Sequence, residues 1–453
     1  MKFFLRDRRG VSAVAFAITF AVLAPMTMGI FDVYQINEQR GKLQDALDAA
    51  ALYAARSTAT TTPEIDAIGD KALAANLKMI PGATLQSSDF TLDTTGSPKV
   101  VAQATVRVPA LAPDAFTHNP LQVSSEVTRA GNNLEVALVL DITGSMSASI
   151  PSLQSAANQL IDLVVSDTQA PYYSKVAIVP YADSVNPGTY VTLARGAEVA
   201  GVGNDPTTGA GIPGYAQIKF NNSSGSSKTF NDSSCVSERT GAEAFTDASY
   251  TVAKVGWVYP PTSGNNACVT PTIMPLSSDK TALHTKVGTL SSNYSTAGQI
   301  GLAWGWYMVS PNWASLFPTG RGAVAYGTPH TLKAVVLMTD GAFNTAYCNG
   351  VISYQSSYQD GTSGTTSEHS NCASPNGDAF TQAQTLCAKM KAQPNNIIIY
   401  TVGFNVSSDP KATSLLSGCA TDAKHVFYPS DGASLQVAFQ QIGADLQRLR
   451  LSH

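Results

Sequence analysis

Two stretches of the chain are apolar almost without interruption, and each stops at an aspartate. Leu134–Leu140 (LEVALVL) ends at Asp141, and AVVLMT ends at Asp340. A run without alternation reads as a strand covered on both faces. Lys175–Ala182, Asn396–Phe404 and His425–Pro429 read the same way. Helical spacing falls between these runs, at Pro151–Val165, Ser278–Leu290, Ala297–Val309 and Ala379–Lys391. In the last helix Leu435, Phe439, Ile442, Leu446 and Leu449 step by three and four. Strands alternating with helices predict a doubly wound, Rossmann-like α/β domain over 131–453. Trp304, Trp306 and Trp313 then belong to a helix core and a helix end.

The first third of the chain has a different pattern. Pro63–Met79 is spaced as a helix. From Lys99 to Val108 the apolar residues Val100, Ala102, Ala104, Val106 and Val108 alternate with polar or opposite-facing ones. Leu121, Val123 and Val127 alternate likewise, so both stretches read as half-buried antiparallel strands. A small α+β module at 57–130 follows, read as a spacer. Before it, Asp32–Arg56 repeats apolar residues at helical steps through Leu43, Leu47, Ala50 and Ala54, which predicts a stalk at 32–56.

At the N-terminus, Lys2, Arg6, Arg8 and Arg9 precede a run without charge from Gly10 to Phe31. As a helix that run spans about 33 Å, against about 30 Å of hydrocarbon. A cleaved signal peptide is the rival reading. The length of the run and the lack of a small-residue cleavage site favour a retained transmembrane helix at 10–31 behind a stub at 1–9. The basic flank stays cytoplasmic, which puts the rest of the chain outside.

Composition narrows the picture. The 453-residue chain carries a net charge of −4 with 13% charged residues, which gives no basic field for nucleic acid. All six cysteines lie in the second half, none in a C-x-x-C pair, and the six histidines are scattered. That distribution excludes the usual zinc spacings and favours disulfides in an oxidising compartment. By proximity Cys235 pairs with Cys268, and Cys348 with Cys372. Two long Ser/Asn/Gly-rich insertions, 183–270 and 341–378, read as loops without secondary structure, and both leave on the face of the two aspartates if Lys175–Ala182 is parallel.

The chemistry sits where the two apolar runs end. In an open α/β sheet the carboxyl ends of the strands share one crevice. Two carboxylates placed there repel unless one is protonated or a cation lies between them. Thr143 and Ser145, two apart in the turn DITGSMS, add neutral oxygens. Oxygen donors without sulfur or imidazole suit a hard divalent cation, Mg²⁺ first, with Mn²⁺ or Ca²⁺ as alternatives. No P-loop, dinucleotide fingerprint or nucleophile elbow is present, and no histidine stands near either aspartate in sequence, so no enzymatic activity is expected.

Two motifs carry a resemblance. RRGVSAVAFAITFAVLAPMTMGIFDVYQ with LQDALDAAALYAA resembles the N-terminal module of TadE/TadG-like pilus-assembly proteins of the Flp, or tight-adherence, pilus. Related pseudopilins are cut after a glycine with a glutamate five residues on; here Ala15 stands there after Gly10, so no such cleavage is expected. The turn D-x-T-G-S-M resembles the metal-ion-dependent adhesion site of von Willebrand factor type A domains. That resemblance implies a metal held by Asp141, Thr143, Ser145, Asp340 and Thr296. Thr296 lies in STAGQIGLAWGW, with Tyr294-Ser295 where the family pattern carries Gly-Gly. A similar L-C…G-C pair in TadG-like proteins implies a Cys387–Cys419 bridge. The implied protein is a single-pass inner-membrane one with its main domain in the periplasm. Its partners would be envelope or pilus-assembly proteins, an acidic residue of which completes the metal. A surface adhesin using the same site is the alternative, and a metallohydrolase a more distant one.

Overall fold

A computed structural model describes residues 8–451 apart from positions 58, 60, 95–97, 110–119, 130, 171, 262–266, 342 and 355–367. The chain forms two compact units, residues 1–131 with 451–453, and residues 132–450.

In the first unit, α1 (Arg8–Ala55) is one helix of 48 residues. No break separates the expected membrane span from the expected stalk. Among the described residues no helix is long and apolar enough to cross a membrane. The span expected at 10–31 is therefore a helix whose crossing is not demonstrated, and the side chains of residues 10–13, 22, 24, 25 and 28 within it lie outside the described residues. Its described apolar side chains, among them Phe16, Ile18, Phe20, Met26 and Ile30, are each more than half exposed.

The other end of α1 is packed. Leu43, Leu47, Ala50 and Ala54 have no exposure and join a core with Ile65 and Leu73 of α2 (Thr62–Leu77). An antiparallel sheet in the order β1 (Thr84–Asp93), β2 (Lys99–Arg107), β3 (Leu121–Thr128) completes it. Val100, Ala102, Ala104 and Val106 face that core, as their alternation predicts. Strand β1 carries no such signal, because Phe90 is its only fully buried residue. The Arg129 guanidinium closes the unit by donating to the carbonyls of Ala59 and Ser57 at 2.6 and 2.5 Å.

The second unit is the mixed α/β domain. Along the chain run β4 (Asn133–Asp141), α3 (Ile150–Val164) and β5 (Ser174–Tyr181). The first insertion then supplies β6 (Val199–Gly203), β7 (Tyr215–Asn221), β8 (Ser227–Asn231), β9 (Val236–Ser237) and β10 (Gly256–Trp257). After it come β11 (Met274–Ser277), α4 (Lys280–Gly288), α5 (Gly298–Val309) and β12 (Thr331–Thr339). The second insertion holds β13 (Tyr347–Cys348) and β14 (Val351–Ile352). The chain closes with α6 (Ala379–Lys391), β15 (Ile398–Gly403), α7 (Pro410–Cys419), β16 (Val426–Phe427) and α8 (Gly432–Leu451).

The main sheet has the order β11-β5-β4-β12-β15-β16, parallel except for β11. Chain order runs outward from β4 in one direction and from β12 in the other. The reversal between those two strands is a topological switch point, where such sheets open a crevice. Helices α5, α6 and α7 pack in one layer; α4 packs on α3, and α8 meets α3 through Gln436, Gln440, Gly443 and Gln447. All three tryptophans of the LAWGWYMVSPNW stretch are buried, and Tyr307 stacks on Trp313 at 4.1 Å. Helix α5 lies close on the sheet because it presents glycine there. A Cβ at Gly305 would stand 2.4 Å from Val139, and one at Gly301 2.5 Å from Tyr181.

The insertions depart from expectation. They are not structureless: β6, β7 and β8 form a sheet, β9 pairs with β10, and β13 with β14. Ile218, Phe220, Phe230, Trp257 and Tyr259 share a small core with Val351 of the second insertion. Their strands are short and half exposed, so too few apolar positions repeat for periodicity to register. Disulfides join Cys235–Cys268, Cys348–Cys372 and Cys387–Cys419, the three pairings anticipated.

Candidate metal centre

Asp141 is the last residue of β4, and Asp340 directly follows β12. Parallel pairing of the two strands brings both to the same edge of the sheet. Asp141 has no solvent exposure. Its Oδ1 accepts from the Thr143 N–H at 2.9 Å, and its Oδ2 from the hydroxyls of Thr339 at 2.8 Å and Tyr181 at 3.2 Å. Burial raises its pKa despite these donors.

The turn after Asp141 places two hydroxyls side by side. Thr143 Oγ1 and Ser145 Oγ are 2.9 Å apart. Ser145 donates to Asp340 Oδ1 at 2.8 Å and Thr143 to the same oxygen at 3.5 Å. Burial, then the charge of Asp141, pushes the Asp340 carboxyl up to about 7. The physical cause is a pair of acids in one partly dry pocket without a positive side chain.

Thr296 stands on the neighbouring loop. Its hydroxyl makes no hydrogen bond to the other four residues, and the loop's main chain does the joining. Gly144 N–H donates to Tyr294 O at 3.0 Å, Asn293 N–H to Ile142 O at 2.9 Å, and Ala297 N–H to Ala182 O at 2.7 Å. Thr296 is further laced to the loop after Asp340. Its N–H donates to Asn344 Oδ1 at 2.9 Å, and its carbonyl accepts from the N–H groups of Asn344 at 2.8 Å and Thr345 at 3.1 Å. Asp141, Thr143, Ser145 and Asp340 thus form one hydrogen-bonded cluster, with Thr296 on the loop bonded beside it.

The donor set fits a hard cation: two carboxyls and the hydroxyls of Thr143 and Ser145, all oxygen, with the Thr296 hydroxyl on the adjoining loop; burial raises both carboxyls, and the charge of Asp141 raises Asp340 further. Among the described residues no group of three or more His, Cys, Asp or Glu could hold a metal, so any ion here relies on the neutral hydroxyls as well. Bound, such an ion would supply positive charge beside the two carboxyls.

Several supporting residues carried no sequence signal. Tyr181 and Thr339 end neighbouring strands and aim their hydroxyls at Asp141, which only the sheet register reveals. Glu238 of the first insertion accepts from Tyr347 N–H at 2.8 Å, and the Tyr347 hydroxyl donates to Asp183 O at 2.9 Å. These bonds fix the segment that follows the Thr296–Asn344 contact.

The architecture and the cluster together define an open doubly wound domain with an oxygen-lined crevice at its switch point. Residues 10–57 match the model of the Flp pilus-assembly TadE/G-like family. The comparison with curated proteins returns no match. Among solved structures the chain is similar to the von Willebrand factor domain of the type V pili tip protein Mfa5 from Porphyromonas gingivalis. There the identity is 12%, with 71% of this chain and 97% of that one covered, at a TM-score of 0.37. It is also similar to the pilus adhesin SpaC from Lactobacillus rhamnosus GG in its open conformation, at 12% identity, 81% and 34% coverage and a TM-score of 0.35. The pilus adhesin RrgA from Streptococcus pneumoniae gives 11% identity, 81% and 49% coverage and 0.36. The chain therefore covers nearly the whole of the first structure and less than half of the other two.

Proposed function

We propose that this chain is a membrane-anchored protein-binding module that assembles or anchors a Flp-type pilus in the cell envelope. Its contact would run through a divalent cation, Mg²⁺ in the first instance, held by Asp141, Thr143, Ser145, Thr296 and Asp340. An acidic residue from an envelope or pilus-assembly protein would complete the coordination. The pilus context rests on the match at residues 10–57. The metal rests on one observation: a buried and a part-buried carboxyl at the switch point share one turn, the Thr143 N–H bonding Asp141 and the Thr143 and Ser145 hydroxyls bonding Asp340.

The anchor reading is supported by apolar side chains standing exposed along α1 from Val14 to Phe31, which water does not favour and lipid does. It places the N-terminus in the cytoplasm and the α/β domain outside the inner membrane. Carbonate extraction that leaves the chain in the pellet supports it; release into the supernatant removes it. No catalysis is assigned to the crevice.

A second reading, a surface adhesin using the same ion, draws on the two insertions. Both leave from the strand ends that carry the site and enlarge the surface there. Cross-linking on intact membranes separates the two readings. Capture of pilus-secretion components supports assembly, whereas lost surface binding in Asp141→Ala cells with normal pili supports the adhesin.

A further inference from the structure

The two insertions border a cavity of about 140 Å³, partly open to solvent, that the metal centre does not use. It is walled by Asn221, Ile218 and Phe220 of the first insertion, by Asn349, Val351 and Asn371 of the second, and by the Cys348–Cys372 disulfide. Among the described residues that line it, none is ionisable. By volume it holds roughly ten waters, the scale of one hexose ring.

Its walls are built rather than draped. Asn371 N–H donates to Asn221 O at 2.9 Å, Asn221 N–H to Gly209 O at 3.1 Å, and Tyr259 N–H to Gly350 O at 2.7 Å. Asn349 and Gly350, at φ +51° and +82°, form the two-residue turn of the β13–β14 hairpin and set Asn349 at the wall. A cavity held this way loses little entropy when filled.

The side-chain amides of Asn221, Asn349 and Asn371 make no hydrogen bond to a described residue. Each therefore keeps two donors and an acceptor available. A carboxamide offers donor and acceptor together, which matches a vicinal diol, in which each hydroxyl does the same. Apolar Ile218, Phe220 and Val351 suit the C–H face of a pyranose. The absence of charge among the described lining residues disfavours acidic, basic or phosphorylated ligands, which would be desolvated without a counter-charge.

We propose that this cavity is a subsite for a neutral saccharide, taking one terminal sugar of a glycan. Both insertions leave the strand ends of the crevice, so the subsite belongs to the part of the domain that would meet a partner.

Calorimetry of the full chain in detergent, with the methyl glycosides of glucose, galactose, mannose and N-acetylglucosamine as probes, tests it. At least one should bind, with a Kd of roughly millimolar order. Asn349→Ala and Asn371→Ala should each weaken it about fivefold to tenfold. Ala210→Phe, at the wall, should abolish it while circular dichroism and non-reducing mobility stay native. Binding should be the same in chelator, so that a failed metal reading leaves this result intact. The proposal falls if no glycoside binds, if binding survives Ala210→Phe, or if a capped dipeptide binds in preference to every sugar.

Discussion

Strands β4 and β12 carry ionisable pairs near both ends, and the two ends are settled in opposite ways. Near their start, Glu135 and Lys333 are register partners, both buried, with Nζ 2.5 Å from Oε2. The Tyr173 hydroxyl and the Val324 N–H complete that carboxylate at 3.0 and 3.1 Å. At their far end Asp141 is buried and Asp340 part-buried, but the charges there are alike, and the Thr143–Ser145 turn joins them with neutral donors. Each end holds a fully buried carboxyl, Glu135 or Asp141, so burial alone does not set the ends apart. What differs is whether the chain supplies its own cation. A pair that carries its counter-charge is structural; a pair that lacks one has reason to take an ion from solution.

Removing the internal cation should break the comparison most severely. Lys333→Met leaves Glu135 buried and unpaired and should cost about 3–5 kcal/mol of stability, read by urea unfolding. If the loss is below about 1 kcal/mol, the start of the strands is not held by its ion pair.

Glu238 supplies a third case, a buried carboxyl with no lysine beside it among the described residues. Burial pushes it up to about 7, and the groups facing it are the Tyr347 N–H, Ser374 and Gln382. Its folded pKa lies above the unfolded value, so the folded state holds the proton more tightly. Stability should therefore fall as pH rises from about 4.5 to about 7, by up to about 3 kcal/mol, and level off above. Glu238→Gln should flatten that part of the profile and leave the parts owed to Asp183 and Asp340, which burial also lifts to about 7. An unchanged profile in the variant would mean that Glu238 is relieved in some other way.

At the far end the expected effect depends on ion concentration. With Mg²⁺ or Mn²⁺ at about a hundred times its Kd, the wild-type chain should gain about 2.7 kcal/mol, seen as a rise in Tm. Asp141→Ala should abolish the gain, and an undiminished rise would place the ion elsewhere. The smallest effect should come from Tyr181→Phe. Losing one of the three donors to Asp141 should weaken Mn²⁺ binding by about tenfold or less, measurable by electron paramagnetic resonance titration.

The same contrast explains what the sequence could tell. Asp141 and Asp340 were legible because each ends a long apolar run, and Thr143 and Ser145 because their spacing within one turn is local. The parallel strands were legible because both faces are buried, leaving continuous apolar stretches with ends shifted by a few residues. Predicted at His425–Pro429, β16 shrinks to Val426–Phe427 because it sits at the sheet edge with one neighbour. Strands β1 and β11 left little trace, the first being polar and the second only Met274–Ser277. The donors from Tyr181 and Thr339 are fixed by sheet register, and the Glu238–Tyr347 bond by two insertions meeting. Neither leaves a pattern along the chain.

The unbroken run of α1 has a mechanical meaning. At about 1.5 Å per residue its 48 residues make a rod of about 70 Å. One end is wedged by Leu43, Leu47 and Ala50 into the small module, and the other displays bare phenylalanines and isoleucines. With no joint between, twisting or pulling the apolar end is felt directly at β2 and β3. Whatever grips that end also sets the bearing of the sheet at the other.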